Sequence, residues 1–247
     1  MKVNSSKTAL VTGGSKGIGS AICIRVAKLG YTVYVHYNSD IAGAESVVKE
    51  IEAAGGEAHA IKADLNNRDE ILKMVDAVKG KISKLDLLVC NAGVLVRPDG
   101  ITSTEAYRRT FEVNLFAHVD LVDMTKEMMT DGNIIFTSSV HGGEGRGNPG
   151  VAAYSASKAA MNSYFMNLAK ELAPTVRVNA VAPGRTLTPM WGDMDNKTES
   201  KLAQAHLTER WVTPDDIADG VVFLVDNESM CGHNLVIDGG MSLRTLG

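Results

Sequence analysis

Thr12-Gly13-Gly14-Ser15-Lys16-Gly17-Ile18-Gly19 follows directly on the apolar run Thr8–Val11, and the reading of this junction decides the fold. Gly13, Gly17 and Gly19 fall where a first strand turns into a first helix. Glycine there permits a tight turn and leaves bare backbone that a phosphate can approach at the positive end of the helix dipole. Beyond the turn, Ile18, Ile22, Val26 and Leu29 share one helical face, and Gly30 is placed to stop the helix. A turn that needs glycine only for its dihedrals is the alternative. The position after the first strand of an alternating chain favours anion binding.

Apolar, β-branched runs alternate with amphipathic stretches from end to end. Strands are expected at Thr8–Val11, Thr32–Val35, Glu57–Ile61, Leu85–Cys90, Asn133–Thr137, Val176–Val181 and Asn234–Ile237, several of them near-continuously hydrophobic. Met161, Phe165, Leu168 and Leu172 line one face of a later helix. This pattern predicts an α/β fold, Rossmann-type and doubly wound, with a mostly seven-stranded parallel sheet and helices on both faces. Ligands of such sheets bind outside the carboxyl ends of the strands. No linker, composition break or repeat divides the chain, so residues 1–247 are expected to form a single domain. Two segments at the functional edge, Gly142 to Gly150 and Arg185 to about Lys201, are expected to be irregular pocket walls.

The 247 residues are 45% hydrophobic with a formal net charge of −4, which supplies a large core and argues against a nucleic-acid surface. Met1 to Lys7 lacks the apolar core of a signal peptide, and no run reaches the roughly 18 apolar residues of a membrane span. A cytoplasmic protein with small-molecule partners and no membrane partner is expected. Cys23, Cys90 and Cys231 are odd in number and far apart, which suggests no disulfide framework and no metal site; all three are expected to be buried.

Tyr154-Ser155-Ala156-Ser157-Lys158 opens a helix about 135 residues after the glycine turn, and Tyr154 and Lys158 project from one face. A phenol with a pKa near 10 is a poor base at neutral pH, and lowering it by about three units takes roughly 4 kcal/mol. An ammonium about 4 Å away contributes on the order of that amount at an effective dielectric of 20. A dinucleotide grip and a proton-moving pair in this order point to a reductase.

The glycine turn is similar to the T-G-x-x-x-G-x-G turn of the single-domain short-chain dehydrogenases/reductases. Asp64 after the third strand resembles that family's adenine-contacting acid, and Asn91-Ala92-Gly93 its N-A-G motif. Asn114 in Phe-Glu-Val-Asn-Leu resembles its catalytic asparagine, Pro183-Gly184 with Thr188 its P-G-x-x-x-T, and Asp238-Gly239-Gly240 its C-terminal signature. The likeness spans essentially the whole chain. It implies hydride transfer between nicotinamide and a carbonyl carbon, with Tyr154 protonating the oxygen and a serine holding it. Lys158 would also bond the nicotinamide ribose, Asn114 would hold a water that relays protons, and Thr188 would contact the carboxamide.

The catalytic set so implied is Asn114, Ser139, Tyr154 and Lys158. The cofactor set is Gly13, Ser15, Lys16, Gly17, Ile18, Gly19, Asn38, Ser39, Asp64, Leu65, Asn91, Ala92, Gly93, Tyr154, Lys158, Pro183, Gly184 and Thr188. Of Ser138 and Ser139 the family pattern favours the second. Its distance from Tyr154 is fifteen residues where thirteen is usual, which reads as a two-residue insertion in the glycine-rich loop; His141 stands thirteen before. An NAD enzyme places a carboxylate at the end of the second strand, whereas Val35-His36-Tyr37-Asn38-Ser39 has no acid until Asp40, and Lys16 adds a positive charge. NADP(H) is therefore the expected cofactor.

A serine hydrolase is disfavoured because neither serine has flanking glycines. Epimerases of the extended type carry a different glycine spacing, and a non-catalytic NADP sensor has no need of the Tyr/Lys pair. The substrate class stays open. The chain resembles 3-oxoacyl-[acyl-carrier-protein] reductases, yet Met128-Met129-Thr130-Asp131-Gly132-Asn133 offers no basic dock for an acidic carrier beyond Lys126 and Lys170. A small ketone, a steroid-like ring or a sugar-derived alcohol is the alternative. Met190, Trp191 and Met194 could close an apolar pocket opposite Leu95 and Val96, and Arg97, Arg146 and Arg185 could meet an acidic substrate. The resemblance also implies a homotetramer, built through the helices around Asn114 and Tyr154 and the C-terminal strand.

Overall fold

The computed structural model describes residues 7–96, 102–143 and 149–243, and of Met190 the backbone alone. Its strands are β1 (Lys7–Val11), β2 (Tyr31–Tyr37), β3 (Glu57–Lys62), β4 (Leu87–Cys90), β5 (Gly132–Thr137), β6 (Val176–Pro183) and β7 (Asn234–Ile237). They form one sheet in the order β3-β2-β1-β4-β5-β6-β7, with every pairing parallel. The chain begins mid-sheet, works to one edge, then crosses back to β4 beside β1 and works to the other. The order reverses between β1 and β4, and a crevice opens outside the carboxyl ends of strands at such a reversal. Val11 is level with Val35 and Val89, Thr137 with Val181, and Pro183 with Ile237, so the loops after these strands emerge along one edge.

The helices are α1 (Gly17–Lys28), α2 (Ile41–Ala53), α3 (Arg68–Lys79), α4 (Thr104–Phe111), α5 (Ala117–Thr125), α6 (Ala152–Leu172), α7 (Asn196–Ala203) and α8 (Pro214–Asp226). Side chains alternate across the pleat, so each central strand feeds two cores. Ala9, Val11, Val33, Val35, Leu87, Val89 and Ile135 pack with α1, α2 and α8. Leu10, Leu88, Cys90, Ile134 and Phe136 pack on the other face with α3, α5 and α6. Burying each large apolar side chain stabilises the fold by about 1.5–3 kcal/mol, and both faces do so along the strands' length. This double cover is why the strands read as unbroken apolar runs.

All seven expected strands are present, their ends shifted by no more than two residues. Two expectations need correction. The segment after Arg185 is not irregular throughout: it contains a short 3₁₀ turn, Pro189–Trp191, and then α7, whose first turn is capped by the Asp195 carboxylate accepting from Thr198 N–H. None of the α7 residues is buried, so it has no apolar stripe to read. Cys23 and Cys90 are buried as expected, but Cys231 is exposed, because it lies in the link between α8 and β7 rather than within either. Glu144 to Asn148, within the glycine-rich loop, lie outside the described residues, as do Arg97 and Arg146.

Candidate active site

The glycine turn is built as its spacing requires. Gly13 and Gly17 hold φ of +64° and +59°, the left-handed region that glycine enters without strain, and a Cβ on Gly19 would stand 2.0 Å from the Gly13 carbonyl oxygen. Thr12 fastens the turn to the next strand over: its Oγ1 accepts from the N–H of Asn91 at 2.9 Å and of Ala92 at 3.0 Å. Asn91 returns the bond, donating from Nδ2 to the Thr12 carbonyl at 2.9 Å, while its Oδ1 accepts from Thr137 Oγ1 at 3.2 Å. The ends of β1, β4 and β5 are thereby tied together beneath the crevice.

His36 is a member of this assembly that the sequence reading missed. It is buried at the end of β2, where its Nδ1 accepts from Gly13 N–H at 3.0 Å and its Nε2 donates to the Ala63 carbonyl at 3.0 Å. Only the neutral imidazole with its hydrogen on Nε2 satisfies both bonds, and burial holds the pKa below the usual histidine value. The available signal was a lone polar residue inside an apolar strand. Its partners are set by strand register, with Gly14 N–H donating to the His36 carbonyl at 2.8 Å.

From this turn a cavity of about 840 Å³ runs along the carboxyl edge of the sheet. Every expected cofactor residue lines it: Gly13, Ser15, Lys16, Gly17, Ile18 and Gly19 on the turn; Asn38, Ser39, Asp64 and Leu65 after β2 and β3; Asn91, Ala92 and Gly93 after β4; Tyr154 and Lys158 on α6; and Pro183, Gly184 and Thr188 after β6. At the β2 end, Lys16 Nζ lies 3.8 Å from Asp40 Oδ2 with the lysine well exposed, and Asp40 Oδ1 also caps α2 by accepting from Gly43 N–H at 3.0 Å. The Asp40 carboxylate is thus already engaged, and Asp64 after β3 accepts from Asn38 Nδ2 at 3.5 Å. A backbone cradle without Cβ atoms and a strand end without a free acid fit a phosphorylated dinucleotide.

At the other end stand Ser139, Tyr154 and Lys158. The Ser139 hydroxyl is hydrogen-bonded to the Tyr154 hydroxyl. Ser138 is turned away, donating to Asn162 Oδ1, so the two adjacent serines part company as the family pattern suggests. Lys158 is buried, donates from Nζ to the Thr137 carbonyl at 2.7 Å and sits 5.7 Å from the centroid of the Tyr154 ring. Burial pushes the lysine down to about 8. It also pushes the Tyr154 phenol above its usual value, with the Ser139 bond pulling the other way. Lys158 does not hold the phenol low here, because the ammonium bonds the Thr137 carbonyl and both groups lie out of water; the expected help of the oxidised nicotinamide's positive charge would come with the cofactor.

Asn114 does not face the cavity. It is fully buried in a π-helical turn, Glu112–Phe116, between α4 and α5, and its amide is spent inside the protein. Oδ1 accepts from Val94 N–H at 2.8 Å, and Nδ2 donates to the Val94 carbonyl at 3.1 Å and to Ser157 Oγ at 3.0 Å. It therefore clamps the wall segment after β4 onto α6, the helix carrying Tyr154 and Lys158. Its own carbonyl accepts from His118 Nδ1 at 3.3 Å, and burial drives His118 down to about 3. Of the expected lid, Trp191 and Leu95 line the cavity while Met194 and Val96 do not, and the Met190 side chain lies outside the described residues.

Among the described residues no helix is long and apolar enough to cross a membrane. The family model described as short chain dehydrogenase matches residues 7–199. A cyclopentanol dehydrogenase of Comamonas testosteroni is 36% identical over 95% of this chain and 96% of its own. A 3-oxoacyl-[acyl-carrier-protein] reductase of Synechocystis sp. is 35% identical over 98% of this chain and 99% of its own. Among solved structures, the angucycline C-6 ketoreductase LanV with bound NADP superposes with a TM-score of 0.88 at 31% identity, covering 96% of each chain. The chain belongs to the short-chain dehydrogenase family, and is an oxidoreductase that acts on carbonyl and alcohol groups with a nicotinamide dinucleotide.

Proposed function

We propose that this chain, all 247 residues as one domain, interconverts a carbonyl and a secondary alcohol with NADP(H) in preference to NAD(H), with Tyr154 as the general acid and base. The observation that carries this reading is the Ser139–Tyr154 hydrogen bond, standing with buried Lys158 at one end of a cavity whose other end is the glycine cradle. Gly13, Gly17 and Gly19 would hold the dinucleotide's pyrophosphate, Lys16, Asn38 and Ser39 its 2′-phosphate, Asp64 and Leu65 the adenine side, and Thr188 the nicotinamide side. Bound there, the reduced nicotinamide supplies the hydride.

The protein's own residues do the rest. Ser139 Oγ and Tyr154 Oη hold the carbonyl oxygen, and as the carbon receives the hydride the oxygen takes the proton from Oη. A phenol whose pKa is raised is fully protonated at neutral pH, which suits reduction. Lys158, whose Nζ donates to the Thr137 carbonyl and at 4.0 Å to Met161 Sδ, keeps a donor for the cofactor ribose and a positive charge near the phenolate left behind. Asn114 acts as a positioning residue that fixes the distance between the cavity wall and α6. The same groups run the reaction backwards on an alcohol.

For the substrate, a 3-oxoacyl thioester remains one reading; a small ketone, steroid-like ring or sugar-derived alcohol is the other. Trp191 and Leu95 on the cavity wall suit the apolar body of any of these. The protein is proposed to work in the cytoplasm as a homotetramer.

Tyr154→Phe tests the reading, because it removes only the proton donor. In NADPH-consumption assays against a ketone panel it is expected to lose about a hundred- to ten-thousandfold in turnover while cofactor affinity is kept. Turnover above a tenth of the parent's would contradict the assignment.

A further inference from the structure

One charged group at the substrate end has no part in the chemistry above. Arg185 follows the Pro183–Gly184 step at the end of β6 and lines the cavity with Ser139, Tyr154 and Trp191. It is half-buried, and among the described residues its guanidinium has neither a hydrogen bond nor an ion pair. Partial burial lowers its pKa, and no carboxylate among the described residues raises it again. Arg177, also partly buried, is the contrast: its guanidinium donates to the carbonyls of Leu224, Asn227, Met230 and Val225.

The acids among the cavity's described lining residues cannot answer Arg185. Asp40 and Asp64 line it after β2 and β3. In the observed strand order β2 is four strands from β6, about 19 Å at the usual inter-strand spacing, and β3 is one strand further. Over that distance the intervening solvent screens the charges.

The backbone that carries Arg185 is fixed. Val212 N–H donates to the Arg185 carbonyl at 3.3 Å and Leu187 N–H to the Val212 carbonyl at 3.0 Å. Trp191 Nε1 donates to the Thr186 carbonyl at 2.9 Å, and its ring packs edge-on against Trp211 with centroids 5.4 Å apart. A guanidinium held partly out of water without a counter-charge is left with unmet donors, and a planar anion that meets two of them in parallel completes it.

We propose that Arg185 binds a carboxylate carried by the substrate, so that the carbonyl compounds this enzyme turns over are keto acids and the alcohols are hydroxy acids. The inference rests on the proposed reading that the carbonyl is reduced beside Tyr154. It adds a second anchor at the substrate end, and the separation between carboxylate and ketone is set by the distance from Arg185 to Tyr154.

The test uses the purified protein with NADPH and matched pairs that differ only in charge: 3-oxobutanoate, 4-oxopentanoate and 5-oxohexanoate, each beside its methyl ester. The parent protein is expected to prefer the acid of at least one pair in kcat/KM. Arg185→Gln is expected to cut kcat/KM for that acid by roughly ten- to a hundredfold, mostly through KM, and to cut the ester far less. NADPH affinity, followed by nucleotide fluorescence, is expected to hold. Preference for every ester, equal losses on acid and ester, or a loss confined to NADPH affinity would each overturn the assignment, the last by moving Arg185 to the cofactor's phosphates. A protein that binds NADPH but reduces no member of any pair also overturns it. Failure to bind NADPH at all would sink the reductase reading beneath it.

Discussion

Ser138 and Ser139 are adjacent and chemically identical, and the fold gives them different work. Ser138 is locked to Asn162 Oδ1, whereas Ser139 meets Tyr154 and accepts from His141 N–H at 3.2 Å. Alternation at the end of a strand accounts for the split, since successive side chains leave β5 on opposite sides. Ser139→Ala is therefore expected to lower turnover by about a hundredfold, as the removal of one oxyanion donor does. Ser138→Ala is expected to lower thermal stability with turnover largely kept; steady-state kinetics and a melting curve on both variants separate the two, and the reverse pattern would refute the assignment. The proposed site residues Ser139, Tyr154, Lys158 and Asn114 were legible because each sits in a local motif. Asn114 was legible as a member but not in its role, because its partners Val94 and Ser157 lie 20 and 43 residues away in sequence.

Among the elements, the central strands could be read directly because both faces are covered by apolar helices, and the edge strands β3 and β7, largely unburied, from their short β-branched or apolar runs. α7 could not, since no face of it is buried, and the π-helical turn at Glu112–Phe116 leaves no mark on the hydrophobic pattern. That turn brings Asn114 against Val94 and Ser157, and α5 supports it through His118, whose ring packs edge-on to Phe136 at 6.3 Å. His118 has a pH consequence. Its folded pKa of about 3 lies below the ordinary 6.5, so the unfolded chain binds a proton that the folded chain refuses. The fold's stability is then complete above about pH 6.5 and falls as pH drops from there toward 3. At pH 5 the loss from this one group is about 2 kcal/mol. Denaturant titrations at pH 7 and pH 5 should show that loss in the parent and a smaller one in His118→Phe; an equal slope in the two would show that His118 is not the group responsible. His36, also held neutral by burial, adds to the acid sensitivity in the same direction.

Among the large apolar side chains exposed in the described residues, two pairs lie on the elements where contacts between copies are expected. Phe116 and Met166, 51% and 45% exposed, lie on the helices around Asn114 and Tyr154; Phe223 and Val236, 47% and 51% exposed, lie on α8 and β7. Two such faces suit two kinds of contact between copies, as a tetramer requires. Light scattering is expected to give a tetramer for the parent and smaller species for Phe116→Glu/Met166→Glu and for Phe223→Glu/Val236→Glu, whereas a monomeric parent would contradict the proposal. The glycine turn, the Thr12–Asn91 tie, the engaged Asp40 and the exposed Lys16 all serve one claim, that the cavity is built for a phosphorylated nicotinamide dinucleotide. Fluorescence titration of the purified protein with NADPH and, separately, NADH measures it. Tight NADPH binding with NADH at least about tenfold weaker, a difference of about 1.4 kcal/mol, is the predicted result, and equal affinity or preference for NADH would contradict it.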